Sequence, residues 1–168
     1  IYTMKRILVF ASGSGSTFFE IARQCQNGTI HNCNVIGLVH NRNNEDMLQL
    51  ADSLNIPKYY VPFVSSKTDR DTYDKDLCNL VKSINHDFIF LAGWMHILPK
   101  SFLDMFPNTL NLHPSLLPKY KGLHAVEQAM KAGEEETGCT VHFVNEYLDS
   151  GAIIKQQVVP ILPSDTVE

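Results

Sequence analysis

The chain reads as an α/β protein: one domain with a Rossmann-like, mostly parallel twisted sheet, helices on both faces and an antiparallel C-terminal strand pair. Three observations predict it. Apolar runs of strand length alternate with segments of helical period, the first such run ends in a glycine-rich turn that opens a helix, and two late β-type runs flank a tight turn. Lys5 to Ala11 (KRILVFA) is the first buried strand, ended by SGSGS. Within Ser16 to Gln26, Phe18, Ile21, Ala22 and Cys25 recur at helical spacing, and Asn27-Gly28 marks the stop. A strand at Asn34 to Val39, a helix near Asp46 to Leu54 and a short strand at Tyr59 to Val61 continue the alternation. Tyr73, Leu77, Leu80, Val81 and Ile84 mark one face of a helix over Asp69 to Ile84, followed by the strand Phe88 to Ala92. Thr109 to Leu112 reads as a strand, Leu123 to Ala132 as a helix closed by Gly133, and Thr140 to Val144 with Ile153 to Pro160 as the final pair.

Composition narrows the function classes. The 168 residues are 44% hydrophobic and carry a formal charge of −4, with no basic run to track a nucleic-acid backbone. No apolar stretch reaches the ~18 residues of a membrane span. Four scattered cysteines, Cys25, Cys33, Cys78 and Cys139, form no C-x-x-C pair and read as reduced thiols of a cytoplasmic protein. The expected partners are therefore small molecules, with neither nucleic acid nor membrane, on a monomer or homodimer.

Ala11 to Thr17 (ASGSGST) lies between a strand and a helix, where free backbone N–H groups and the positive helix end suit a phosphate. The dinucleotide fingerprint fails, because its third glycine would fall at Phe18, and no Gly-Lys-Ser/Thr follows to make a P-loop. A lone phosphate, as on a phosphorylated sugar, fits better. A tight turn without ligand is the alternative.

The segment LNLHPSLLPKYKG, residues 110 to 122, places an amide and an imidazole beside prolines. Pro114 pushes His113 toward extended geometry and ends the regular strand there. Asn111 and His113, two apart, project to one side of a strand. An amide donor beside a protonatable imidazole suits a carbonyl under nucleophilic attack, since both can stabilise its developing charge and the imidazole can carry a proton. Ligands of open α/β sheets collect beyond the carboxyl ends of the strands, where the glycine loop, the turn Gly93 to His96 and the Asn111/His113 pair are expected to converge. Asp149, in the turn Leu148-Asp149-Ser150-Gly151, would favour an imidazolium if it reached His113, and is otherwise a solvated turn residue. His113, His124 and His142 lack metal-ligand spacing, so no metal is expected.

SGSGS after the first strand, LAGWMHIL, NLHPSLLPKYKG and GCTVHFVNEYLDSG together resemble the folate-dependent formyltransferases, in particular their purine-synthesis branch, over Lys5 to Glu168. The resemblance implies transfer of a formyl group from 10-formyltetrahydrofolate, the co-substrate, to the amine of N1-(5-phospho-D-ribosyl)glycinamide, without a metal. It implies that Asn111 and His113 stabilise the oxyanion, that His113 is the general acid, and that Asp149 keeps it protonated and relays protons through water. By the same resemblance Gly15, Ser16 and Thr17 bind the phosphate, and Arg70, Met95, His96, Ile97, Leu98 and Asn111 contact the formyl-folate. Thr17 stands where the family commonly has asparagine, and His96 replaces an arginine of some relatives. The family continues past Glu168 with a helix, so residues 1–168 are expected to be one formyltransferase domain without that element. Rival readings are a formyltetrahydrofolate deformylase, a methionyl-tRNA formyltransferase, for which the acidic composition offers no basic face, and a non-catalytic phosphate- or folate-binding module.

Overall fold

A β-strand buried on both faces must be hydrocarbon there, and β1 (Lys5–Ala11) meets that condition from Leu8 onward: Leu8, Val9, Phe10 and Ala11 are fully buried. The structure, a computed structural model, describes residues 3–64 and 67–168, and its contacts divide the chain into two compact units, Ile1–Thr109 and Leu110–Glu168.

In the first unit β1 is central. It pairs in parallel with β2 (Cys33–His40) on one side and with β4 (Phe88–Leu91) on the other, and β3 (Lys58–Tyr60) pairs in parallel with β2. The glycine turn after β1 leads into α1 (Ser16–Gln26), which buries Phe18, Ala22 and Cys25 and stops at Asn27 before the positive-φ Gly28, as the sequence predicts. Side chains cap the next two helices: Asn44 accepts from Met47 N–H at the head of α2 (Glu45–Ser53), and Asp69 from Thr72 N–H at the head of α3 (Arg70–Ser83). α3 buries Tyr73, Leu77 and Val81, a spacing of one turn each, on the face read from the sequence.

One element of this unit was not anticipated. α4 (Lys100–Met105) follows Pro99 and buries Phe102 and Leu103, with the Phe102 ring edge-on to Phe10 at 6.2 Å. Six residues span less than two turns, too few to display a helical period. Its cause is tertiary packing rather than pattern.

The second unit takes up the chain at Leu110 and is antiparallel. All of β5 (Thr109–His113) except its first residue lies here, paired with β6 (Glu136–Phe143), which in turn pairs with β7 (Ile153–Pro160). Parallel ladders in the first unit and antiparallel ones here make up the expected fold class. Two boundaries move by more than one residue. β6 begins four residues before the expected Thr140, because Glu136 to Cys139 pair with β7 and Ile161 N–H bonds to the Glu135 carbonyl just beyond. α5 (Ala125–Lys131) begins two residues later than expected, since His124 adopts a left-handed conformation, φ 58°, and cannot continue a helix backwards.

Candidate functional site

Antiparallel register brings the polar residues of the second unit to one sheet face. Asn111 lies directly opposite His142 and His113 opposite Thr140, and directly opposed residues share a face. The Asn111 amide nitrogen donates to His142 Nε2 at 3.2 Å, while His142 Nδ1–H donates to the Phe143 carbonyl at 2.9 Å. One amide N–H of Asn111 is thereby used and the other is left for a ligand.

Asp149 reaches this face from the turn after β6. Its side chain is 7% exposed, with Oδ2 3.5 Å from His113 Nδ1 and Oδ1 3.8 Å from His142 Nε2. The first is an ion-pair distance, longer than a hydrogen bond. Gly122 N–H donates to Asp149 Oδ2 at 2.8 Å and fixes the carboxylate. Asp149 itself sits at φ 48°, a conformation that costs a non-glycine residue about 1 to 3 kcal/mol and that clusters at functional sites. Gly151 is required beside it: a Cβ there would overlap the Phe143 carbonyl, where the chain enters β7.

The loop from Pro114 to Gly122 builds the other wall. Ser115 Oγ–H closes it on the Lys119 carbonyl at 2.6 Å, Leu117 N–H donates to Thr140 Oγ1 at 3.1 Å, and Thr140 Oγ1–H donates to the Ser115 carbonyl at 2.7 Å. Tyr120, at φ 54°, turns its carbonyl onto His113 Nε2 at 2.8 Å. Both ring nitrogens of His113 thus face acceptors, the Tyr120 carbonyl closely and Asp149 loosely. The Tyr120 hydroxyl donates to Glu134 at 2.9 Å, which raises the phenol pKa and, with a second bond from Lys119, holds the Glu134 carboxyl below its ordinary value.

The first unit holds the remaining candidates. Gly15, at φ 78°, is the N-cap of α1, and a Cβ there would strike Met47 Cγ. No side chain caps α1 and no acid occupies its first turn, so Ser16 and Thr17 begin a helix whose first backbone N–H groups have no side-chain cap. Arg70, the first residue of α3, donates from Nη2 to the Ile97 carbonyl at 3.1 Å, and Ser12 Oγ accepts from Met95 N–H at 2.8 Å. Met95 and Ile97 are exposed, Leu98 is buried, and the His96 side chain is turned inward onto Asp74.

The structure therefore brings Asn111, His113 and Asp149 together in one unit, and Arg70 with Met95 to Leu98 in the other. It adds His142, which the sequence analysis considered only as a metal ligand. His142 is recoverable from sequence only once the β5–β6 register is known, because its position opposite Asn111 is the signal. His124, the third histidine of that set, lies exposed at the head of α5.

Known proteins resemble this chain over nearly its whole length. The family model described as formyl transferase matches residues 5–168. The trifunctional purine biosynthetic protein adenosine-3 of Drosophila melanogaster is 42% identical over 96% of this chain, which spans only 12% of that protein's length. Phosphoribosylglycinamide formyltransferase of Haemophilus influenzae is 39% identical over 98% of this chain and 77% of its own. Among solved structures, glycinamide ribonucleotide transformylase 1 of Symbiobacterium toebii superposes with a TM-score of 0.89 at 36% identity, covering 98% of this chain and 77% of that one. A formyltetrahydrofolate deformylase of Pseudomonas syringae gives 0.84 at 28% identity, covering 98% of this chain and 54% of that one. With a family match over nearly its whole length and relatives that share its fold, the chain belongs to the formyl transferases.

Proposed function

We propose that the chain transfers the formyl group of 10-formyltetrahydrofolate to the amine of N1-(5-phospho-D-ribosyl)glycinamide, a step of purine biosynthesis. The observation that carries this reading is the meeting of His113 and Asp149 at 3.5 Å, with Asn111 hydrogen-bonded to His142 beside them on the same sheet face. The 39% identity to a phosphoribosylglycinamide formyltransferase favours the amine over water as acceptor, against 28% for the deformylase.

In this reading the backbone N–H groups of Gly15, Ser16 and Thr17 take the substrate phosphate, and Arg70 with Met95 to Leu98 takes the folate. Attack of the amine on the formyl carbon puts negative charge on the formyl oxygen. The free amide N–H of Asn111 and an N–H of His113 stabilise it, an effect of about 3 to 4 kcal/mol for a well-placed donor. His113 Nε2–H is engaged by the Tyr120 carbonyl, so the nitrogen free to exchange partners is Nδ1. A proton passes from Nδ1 to the departing folate nitrogen, and the proton released by the attacking amine returns through Asp149. No metal takes part. The same reading makes the protein a cytoplasmic enzyme acting on small molecules as a monomer or homodimer; among the described residues the four cysteines are unpaired and no helix is long and apolar enough to cross a membrane.

His113→Ala is expected to lower formyl transfer about 10²- to 10⁴-fold while leaving the affinity for the phosphorylated substrate unchanged. Formate release that does not depend on the glycinamide ribonucleotide would instead identify a deformylase.

A further inference from the structure

Asp74 has no role in the reaction described above, yet its side chain is largely buried in a cluster built around the loop Met95 to Leu98. Its Oδ1 lies 2.9 Å from His96 Nε2, with side-chain exposures of 13% and 6%. The His96 ring is boxed by Tyr73 at 4.7 Å, Phe63 at 5.5 Å and Trp94 at 6.4 Å, ring centre to ring centre. Burial and the neighbouring Asp74 charge push the Tyr73 hydroxyl up to about 12, so that face carries a neutral phenol. Arg70 and Asp74 stand four apart on α3 and therefore on one helix face. Arg70 holds the loop backbone at Ile97, and Asp74 holds the side chain at position 96. Met95 and Ile97 on either side are 54% and 67% exposed, while the His96 side chain between them is turned inward.

We infer that Asp74 is a positioning residue: through His96 it sets the loop Met95 to Leu98 in the form that presents Met95, Ile97 and the loop backbone to the folate. His96 then serves the site by anchoring the loop, and its side chain does not touch the ligand. The inference rests on the proposed folate-binding role of this loop. A carboxylate with one close donor in an aromatic box defines a single loop conformation, because releasing His96 would leave a buried charge without a partner.

The 168 residues include one tryptophan, Trp94, whose emission reports directly on this loop. Asp74→Ala is expected to weaken 10-formyltetrahydrofolate binding and raise its KM about tenfold, the equivalent of one hydrogen bond, with little change in the KM of the phosphorylated substrate. Asp74→Asn keeps an acceptor for His96 Nε2–H and is expected to recover most of that loss. If Asp74→Ala unfolds the protein, His96→Gln against His96→Leu asks the same question, with glutamine recovering the affinity. Unchanged folate affinity in Asp74→Ala, an equal rise in both KM values, or equal losses in the conservative and disruptive variants would overturn the inference. Absence of saturable folate binding to the unaltered protein would overturn the proposed function itself, and is distinguished by needing no variant.

Discussion

Leu8, Val9 and Phe10 of the first unit lie wholly buried with Phe18, Leu38, Met47 and Leu77, while the buried side chains of the second unit include His113, Ser115, Thr140 and His142 beside only Leu117, Ala125 and Ala129. The two interiors are held by different physics. Hydrocarbon burial is non-directional and scales with area, so the first unit tolerates changes that preserve volume. Buried hydrogen bonds are directional, and each member of a network depends on the rest, so the second unit holds a geometry to within a few tenths of an ångström or loses it. Chemistry that needs an amide, two imidazoles and a carboxylate in register belongs on the second kind of interior. The first supplies a rigid frame for loops that bind.

The largest effect that tests this contrast is a cavity. Phe18→Ala in α1 is expected to lower the unfolding free energy by about 3 to 5 kcal/mol in urea titration, with catalysis in the surviving folded protein retained. A loss below about 1 kcal/mol would mean that the apolar interior is not what holds the first unit.

The matching change in the second unit is smaller in energy and larger in function. Thr140 Oγ1 accepts from Leu117 N–H and from Gln156 Nε2 at 3.0 Å, and donates to the Ser115 carbonyl. Thr140→Val keeps the shape and strips all three. It should cost about 1 to 3 kcal/mol, by leaving buried backbone groups unpaired, and lower turnover more than Phe18→Ala does, because the loop that aims the Tyr120 carbonyl at His113 is tied down there. Equal turnover in the two variants would erase the distinction between the units.

The smallest effect sharpens the comparison by titration. His40 is one of the buried polar residues of the apolar unit: it lies at the end of β2, donates from Nδ1 to the Arg42 carbonyl at 3.0 Å, and stacks on Tyr60. Burial holds its pKa below the ordinary value of 6.5. The unfolded chain therefore binds the proton more readily than the folded one, so the stability this residue contributes is full above that value and is lost as the pH falls through the lower folded pKa. Unfolding free energy should decline as the pH drops below about 6.5, and His40→Gln should show a shallower decline. An unchanged slope would show that His40 is not the group responsible.

Much of this was legible beforehand, and unevenly so. β1, α1 and α3 declare themselves because apolar spacing, caps and a glycine stop all lie within one element. α4 is too short to show a period, and the left-handed His124 that delays α5 leaves no mark in composition. In the site, alternation put Asn111 and His113 on one side of β5, where the first contacts His142 and the second Asp149. The inward turn of His96 was hidden: its partner, Asp74, lies 22 residues away on α3, and only packing selects it.

Local chemistry was enough to establish an α/β chain, a glycine turn shaped for an anion, and an amide–imidazole pair at a strand end, because each depends on neighbours within a few residues. The β5–β6 register that sets His142 opposite Asn111, the left-handed turn that carries Asp149 to His113, and the grip of α3 on residue 96 were decided by the tertiary structure. Those contacts join residues 22 to 36 apart in the chain, and which of many polar groups meet over that distance depends on the register and burial of everything between them.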